Sequence, residues 1–105
     1  MLKNPKGKGI RFENEVKNKL RELGFWTSRQ SASFFPDLIA IDRKGQTWFI
    51  ECKVAKYLHS EEKMKLRNAR MIFKVKIAVA YPDKIDKKRV IKITDLDYEK
   101  EYMVL

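Results

Sequence analysis

The stretch that decides the fold reads PDLIAI over residues 36–41 and TWFIECKV over residues 47–54, with DRKGQ between them. Both runs are rich in apolar, β-branched and aromatic residues, which is typical of strands. Lys44-Gly45 supplies a turn in the short link, so the two runs predict an antiparallel hairpin. Because the first run is apolar on both faces after Asp37, we expect it to be a central strand.

Side chains alternate along the second run, so every other residue points to the same face. One set is apolar and suits a core: Trp48, Ile50, Cys52 and Val54. The other set is Phe49, Glu51 and Lys53, which places an acid and a lysine on one face. Taken alone, this pair is compatible with an ordinary surface ion pair on a half-solvated strand.

Asp37 changes that interpretation, because an acid entering a central strand is costly unless donors or a cation meet it. Asp37 and Glu51 are also placed symmetrically about Lys44, so the hairpin brings them face to face. Two adjacent carboxylates repel each other, and a divalent cation relieves the repulsion. The alternative for Asp37 is a turn aspartate that caps its own backbone.

The remaining elements follow from periodicity and from turn signals. They are a helix over residues 12–23 closed by Gly24, strands over 25–29, 75–80 and 89–93, a helix over about 60–73 capped by Ser60, and a short helix over 95–101 capped by Thr94. The predicted fold is therefore one α/β domain over residues 1–105, with a mixed five-stranded sheet flanked by helices in the order α-β-β-β-α-β-β. Residues 1–9 are predicted to form a mobile basic arm.

Composition limits the classes of partner, metal site and cellular location that the chain can have. The chain has 105 residues, a formal net charge of +10 and a pI near 9.8, which favours a polyanionic partner such as DNA. One cysteine and one histidine exclude a thiolate or imidazole metal site, so any metal is a hard cation held by carboxylates, Mg²⁺ or Mn²⁺. The apolar runs are too short to cross a bilayer, and no apolar leader follows the N-terminus. We therefore expect a cytoplasmic protein without a membrane partner.

The positive charge lies in three stretches. Residues 1–11 hold four basic residues and no acid, residues 53–76 hold eight basic and two acidic residues, and residues 84–92 hold five basic residues and one acid. This distribution favours a duplex gripped through its phosphates without readout of sequence. The alternative is that many of these lysines only solvate a stable surface.

The sequence resembles the archaeal Holliday-junction resolvases, which belong to the restriction-endonuclease-like nucleases with the pattern P-D…E-x-K. The resemblance rests on Gly9-x-x-x-Glu13, Gly24-Phe25, Arg29, Pro36-Asp37-Leu38-Ile39-Ala40 and Ile50-Glu51-Cys52-Lys53. It covers about two thirds of the chain and implies a restriction-endonuclease-like fold. It also implies a metal-dependent endonuclease that acts as a homodimer on branched DNA. Asn14 departs from the pattern, because many relatives have arginine directly after the helix glutamate.

The resemblance also implies roles for individual residues. Asp37 and Glu51 would bind Mg²⁺, with Mn²⁺ as a substitute, and the backbone carbonyl of Cys52 would add a ligand. Lys53 would orient the attacking water, and Glu13 would complete the catalytic and metal site directly or through water. The thiol of Cys52 points with the apolar set and is expected to be structural.

The resemblance implies DNA contacts by Arg29 near the scissile phosphate and by Ser31 or Ser33 in the following loop. The distribution of positive charge adds the basic residues Lys6, Lys8, Arg11 and Lys56. The second helix has apolar residues on more than one side, which leaves surface for a partner helix and favours a homodimer. Two alternatives stay open from the residues alone. One is another structure-specific or phage-type repair nuclease of the same superfamily, and the other is a DNA-binding module without catalysis.

Overall fold

The computed structural model of the chain describes residues 5–30 and 35–105, with residues 5–8 described by their backbone only. Two helices and six strands lie in this part of the chain. In chain order they are α1 (Pro5–Glu22), β1 (Trp26–Arg29), β2 (Leu38–Ile41), β3 (Thr47–Cys52), α2 (Ser60–Phe73), β4 (Lys76–Ile85), β5 (Lys88–Thr94) and β6 (Glu101–Val104).

The six strands form one mixed sheet whose order follows the chain, from β1 to β6. Every neighbouring pair is antiparallel except β3 and β4, which run parallel because α2 connects them as a crossover. This confirms the predicted α/β class and the predicted β2–β3 hairpin. In that hairpin Leu38 lies opposite Ile50 and Ala40 opposite Trp48, a register centred on Lys44.

The two faces of the sheet carry separate apolar clusters. The first packs α1 against the sheet through Phe12, Val16, Leu20, Leu38, Ala40, Trp48, Ile50, Ala78, Ala80, Ile91 and Ile93. The second packs α2 against the other face and includes Leu58, Leu66, Val75, Ile77, Val79, Tyr81 and Leu96. The alternating pattern of β3 explains the division, since Trp48 and Ile50 join the first cluster and Phe49 packs against the second.

The prediction of five strands was wrong, because residues 101–104 form β6, the edge strand beside β5. The short helix predicted over residues 95–101 is instead a turn closed around Asp95. One carboxylate oxygen of Asp95 accepts the N–H groups of Glu99 and Lys100 at 2.8 and 3.2 Å, and its own N–H donates to the Lys100 carbonyl at 2.9 Å. Aspartate at such a position satisfies local backbone donors and so competes with a helix.

Both helices begin at residues other than those predicted. The first starts at Pro5 rather than near Phe12, because proline suits the first turn of a helix, where its missing N–H is not needed. Residues 5–9 of the predicted arm are therefore helical, and residues 1–4 lie outside the described residues. At α2 the N-cap is His59, not Ser60, and the His59 N–H donates to Glu62 at 3.1 Å. Neither helix has the length and apolar content needed to span a bilayer, within the described ranges.

Leu20 gives a direct test of the packing between α1 and the sheet. Its side chain is fully buried in the first cluster. We expect Leu20→Ala to lower the free energy of unfolding by about 3 kcal/mol, because it removes buried apolar surface and leaves a cavity. Chemical denaturation measures the change. The exposed neighbour Lys19→Ala is the control, and equal losses in both variants would contradict the packing described here.

Candidate active site

Two crossed hydrogen bonds join Asp37 to Glu51 and Cys52 at one end of the sheet. The N–H of Asp37 donates to Glu51 Oε1 at 3.0 Å, and the N–H of Cys52 donates to Asp37 Oδ2 at 2.9 Å. Asp37 lies one residue before β2 and Glu51 near the end of β3, so the hairpin register sets both positions. The face-to-face arrangement predicted from the spacing about Lys44 is thus confirmed.

The two carboxylates are largely shielded from solvent, with Asp37 half-buried and Glu51 buried. Glu51 is only 6% exposed, and burial, followed by the nearby charge of Asp37, raises its pKa to about 7. Burial also raises the pKa of Asp37, although the Cys52 N–H and the Lys53 ammonium act in the opposite direction. These shifts are typical of acids at functional sites, where like charges are held together.

Lys53 follows Glu51 by two residues and points to the α2 side of the sheet. Its ammonium forms an ion pair with Glu62 in the first turn of α2. Burial alone would raise the pKa of Glu62, but this ion pair and the His59 N–H outweigh burial and hold that pKa below its ordinary value. Glu62 was missed as a site residue because acids are common in the first turn of a helix. Its spacing gave no signal either, because the N-cap predicted from the sequence was Ser60, whereas the structure places the N-cap at His59, three residues before Glu62.

Glu13 approaches the pair from α1. Its Oε1 accepts a hydrogen bond from the Arg29 guanidinium at 3.3 Å, and its side chain is 14% exposed. Burial raises the pKa of Glu13, with a further contribution from the charge of Asp37, so the two acids are close enough to interact. Arg29 is the last residue of β1, and the structure therefore brings Glu13 and Arg29 to the same end of the sheet as Asp37.

The carboxylate pair fits a hard cation that keeps part of its hydration shell. Within residues 5–30 and 35–105, no three His, Cys, Asp or Glu side chains lie together as a ready metal cage. Asp37 Oδ1 and Glu51 Oε2 have no hydrogen-bond partner among the described residues, so those residues leave one oxygen of each acid unengaged. Mg²⁺ commonly takes one or two protein carboxylates and fills its other positions with water and phosphate oxygens. The donor set therefore suits Mg²⁺ better than it suits a thiophilic metal.

Cys52 contributes its backbone to this end of the sheet. Its side chain packs against the first apolar cluster, and burial, followed by the charge of Asp37, raises the pKa of its thiol well above the ordinary value. A thiol in such an environment is a poor nucleophile and a poor metal ligand. The expectation of a structural thiol is consistent with this placement.

The other predicted DNA contacts are more dispersed. Arg11 is exposed on α1, and Lys56 is exposed with its ammonium 5.0 and 5.3 Å from the ring centres of Tyr81 and Tyr98. Lys6 and Lys8 lie in the first turns of α1. Ser31 and Ser33 lie outside the described residues.

A pocket of about 690 Å³ lies at the opposite end of the sheet and holds none of the predicted site residues. It is lined by the β2–β3 turn and by Leu23, Phe25, Trp48, Lys76, Tyr102 and Met103. The carboxylate of Asp42 in that turn accepts hydrogen bonds from the N–H groups of Lys44 and Gln46 and from the Trp48 indole. The carboxylate pair, rather than this pocket, carries the candidate chemistry.

A mixed sheet that presents paired acids and a lysine from neighbouring strands, in the P-D…E-x-K order, is the arrangement of the restriction-endonuclease-like nucleases. A profile of the archaeal Holliday junction resolvase (Hjc) family matches residues 4–104. The chain therefore belongs to the archaeal Holliday junction resolvase family, and the resemblance described from the sequence is confirmed.

One solved structure similar to the chain is that of Archaeoglobus fulgidus Hjc, a Holliday junction resolvase from an archaeal hyperthermophile. The two chains are 24% identical, with a TM-score of 0.68, and the match covers 90% of this chain and 80% of the other. At this identity the likeness establishes the shared fold. No curated protein matched the sequence in the corresponding search.

The raised pKa of Glu51 predicts an unusual pH dependence of stability. Because its pKa is near 7 in the folded state and about 4.5 when unfolded, the folded state binds more protons between these values. Stability in metal-free buffer should therefore fall as the pH rises from about 4.5 to 7. Glu51→Gln should remove part of this fall, raising the melting temperature at pH 8 and changing it less at pH 4.5.

Thermal unfolding with EDTA present, across this pH range, measures the effect. Glu61→Gln is the control, because it removes the same charge from an exposed position. If the two variants gave the same pH profile, Glu51 would not be the group that titrates.

Proposed function

We propose that the chain hydrolyses phosphodiester bonds of four-way DNA junctions in a Mg²⁺-dependent reaction, as a homodimer in the cytoplasm. The observation that carries the proposal is the hydrogen-bonded Asp37–Glu51 pair beside Lys53, in a chain of the resolvase family. A binding-only domain gains nothing from a buried acid, Glu51, paired with a half-buried one, Asp37, on a surface that meets a polyanion.

The proposed metal ligands are Asp37 and Glu51, with the Cys52 carbonyl as a backbone donor. A divalent cation held there would supply an activated water and a sink for the charge that develops on the phosphate. Lys53 orients the water and neutralises charge on the phosphate. Glu13 interacts electrostatically with Asp37 and completes the site directly or through water, with Oε1 hydrogen-bonded to Arg29.

The net charge of +10 supports a DNA substrate held through its backbone. Arg29 is 28% exposed beside Glu13, and we assign it to the phosphate at the cleavage position. We assign Arg11, Lys56, Lys6 and Lys8 to contacts with the flanking backbone, and Ser31 or Ser33 to a further contact with the DNA. Such contacts position the duplex without reading its sequence.

A substrate panel tests the activity. We expect symmetric nicks on a labelled four-way junction with Mg²⁺, and none with EDTA. Asp37→Asn and Glu51→Gln should each lower the cleavage rate at least about 100-fold, because each removes a charge on which metal chemistry depends. Lys53→Ala should slow cleavage by a similar factor, and all three variants should bind the junction about as tightly as the natural chain.

A flap, a linear duplex and a single strand complete the panel. Equal cutting of every substrate would indicate a general or repair nuclease, and binding without cutting would indicate a non-catalytic module. Full activity of Asp37→Asn or Glu51→Gln would remove that residue from the metal site. The control Glu61→Gln should cut at the natural rate.

The proposed dimer is supported by the apolar surface of α2. Met71, Ile72 and Phe73 end this helix with exposed fractions of 76%, 70% and 62%, and Met64, about two helical turns before Met71, is also exposed. Large apolar side chains grouped in this way mark a surface that associates with a partner. A two-fold dimer through α2 would place two sites on one assembly, one for each of two junction strands.

The dimer is tested by Ile72→Glu. We expect this variant to sediment as a monomer at concentrations where the natural chain is a dimer, because it places a charge in an apolar contact. Paired cuts on the junction should be lost with the dimer. Asn18→Glu adds the same charge at an exposed position on α1 and should stay dimeric. A dimer that survives Ile72→Glu, or a monomeric natural chain, would contradict the proposal.

A further inference from the structure

We propose that Glu62 is a positioning residue that holds the Lys53 ammonium beside the Asp37–Glu51 pair. The inference rests on the proposed function, in which Lys53 acts at the scissile phosphate. Glu62 lies on α2, whereas the other three residues lie on the hairpin. The α2 crossover thus contributes to a site that the pattern P-D…E-x-K places on strands alone.

The Glu62 carboxylate is fixed through both of its oxygens. Oε1 accepts the N–H of His59 at 3.1 Å, which is one half of the cap of α2, and Oε2 forms the ion pair with Lys53. A carboxylate held at a helix cap has little freedom to rotate. Lys53, with four flexible methylenes, gains a defined direction from a partner that does not move.

The helix beneath Glu62 is itself anchored. Leu66 lies one turn after Glu62 and is fully buried in the second apolar cluster, and Ala69 is also buried. Residues four apart share a face of a helix, so burial of Leu66 turns Glu62 toward the sheet. The Lys53 and Glu62 side chains are 25% and 23% exposed, which keeps their ion pair partly out of water.

Glu62 is also electrostatically near the carboxylate pair. Its negative charge contributes to the raised pKa of both Asp37 and Glu51, so it lies within range of both acids. Because its two oxygens are already engaged, its role is to hold Lys53 rather than to add a ligand. Misplacing a reacting group by about an ångström slows an enzyme strongly even when binding is unchanged.

The experiment is a double-mutant cycle on junction cleavage, measured under single-turnover conditions with a parallel measurement of junction affinity. We expect Glu62→Ala to lower the cleavage rate constant about tenfold and Glu62→Gln about threefold, because the amide oxygen keeps the acceptor and loses the charge. Junction affinity should stay within about twofold for both variants. Adding Glu62→Ala to Lys53→Ala should lower the rate no further, since Glu62 acts through Lys53.

Glu61→Ala is the matched control, because it removes an acid from the same turn at an exposed position, and it should cut at the natural rate. Melting temperatures verify that each variant is folded at the assay temperature. If Glu62→Ala does not fold, the cycle is measured with Glu62→Gln instead, in the natural chain and in the Lys53→Ala variant. The role of Glu62 would be overturned by an unchanged cleavage rate in Glu62→Gln, or by a Glu62 substitution that slows cleavage equally with Lys53 present and with Lys53→Ala. Either result would leave the proposed nuclease activity standing. Failure of the natural chain to cut any junction would overturn both proposals.

Discussion

The register of the β2–β3 hairpin is the constraint on which the site depends. A strand has a side-chain period of two, so a slip of one residue would turn every side chain of β3 to the other face. The register that buries Trp48 and Ile50 against α1 is the register that places Glu51 opposite Asp37. Core packing therefore fixes the position of the acids, and the crossed backbone hydrogen bonds fix their orientation.

Around this hairpin, two ion pairs join charged groups from different elements. Arg29 of β1 meets Glu13 of α1, and Lys53 beyond β3 meets Glu62 of α2. Asp37 and Glu51 differ from these groups because they accept hydrogen bonds only from backbone N–H groups among the described residues, and burial raises the pKa of both. A divalent cation would relieve the repulsion between the two acids at this end of the molecule.

The sequence predicted the parts of the site that depend on local spacing. The symmetry of Asp37 and Glu51 about Lys44 was sufficient because a short antiparallel hairpin has few possible registers. The contribution of Glu62 was not predictable from spacing, since it depends on how the crossover helix docks on the sheet. The strand at residues 101–104 was missed because the preceding acidic segment has a helical composition, and the bonds made by Asp95 decide in favour of a turn.

The order of the strands has a consequence for how the chain folds during translation. Each antiparallel pair joins segments adjacent in sequence and can form as soon as its second strand leaves the ribosome, because local contacts close rapidly. The parallel pairing of β3 with β4 is the exception, since it must wait until α2 has been made and packed. The hairpin that bears Asp37 and Glu51 is thus among the earliest pairings available, whereas its lysine gains a fixed partner only when the crossover is complete. A nascent chain that is interrupted before residue 76 would carry the acidic pair without an assembled site.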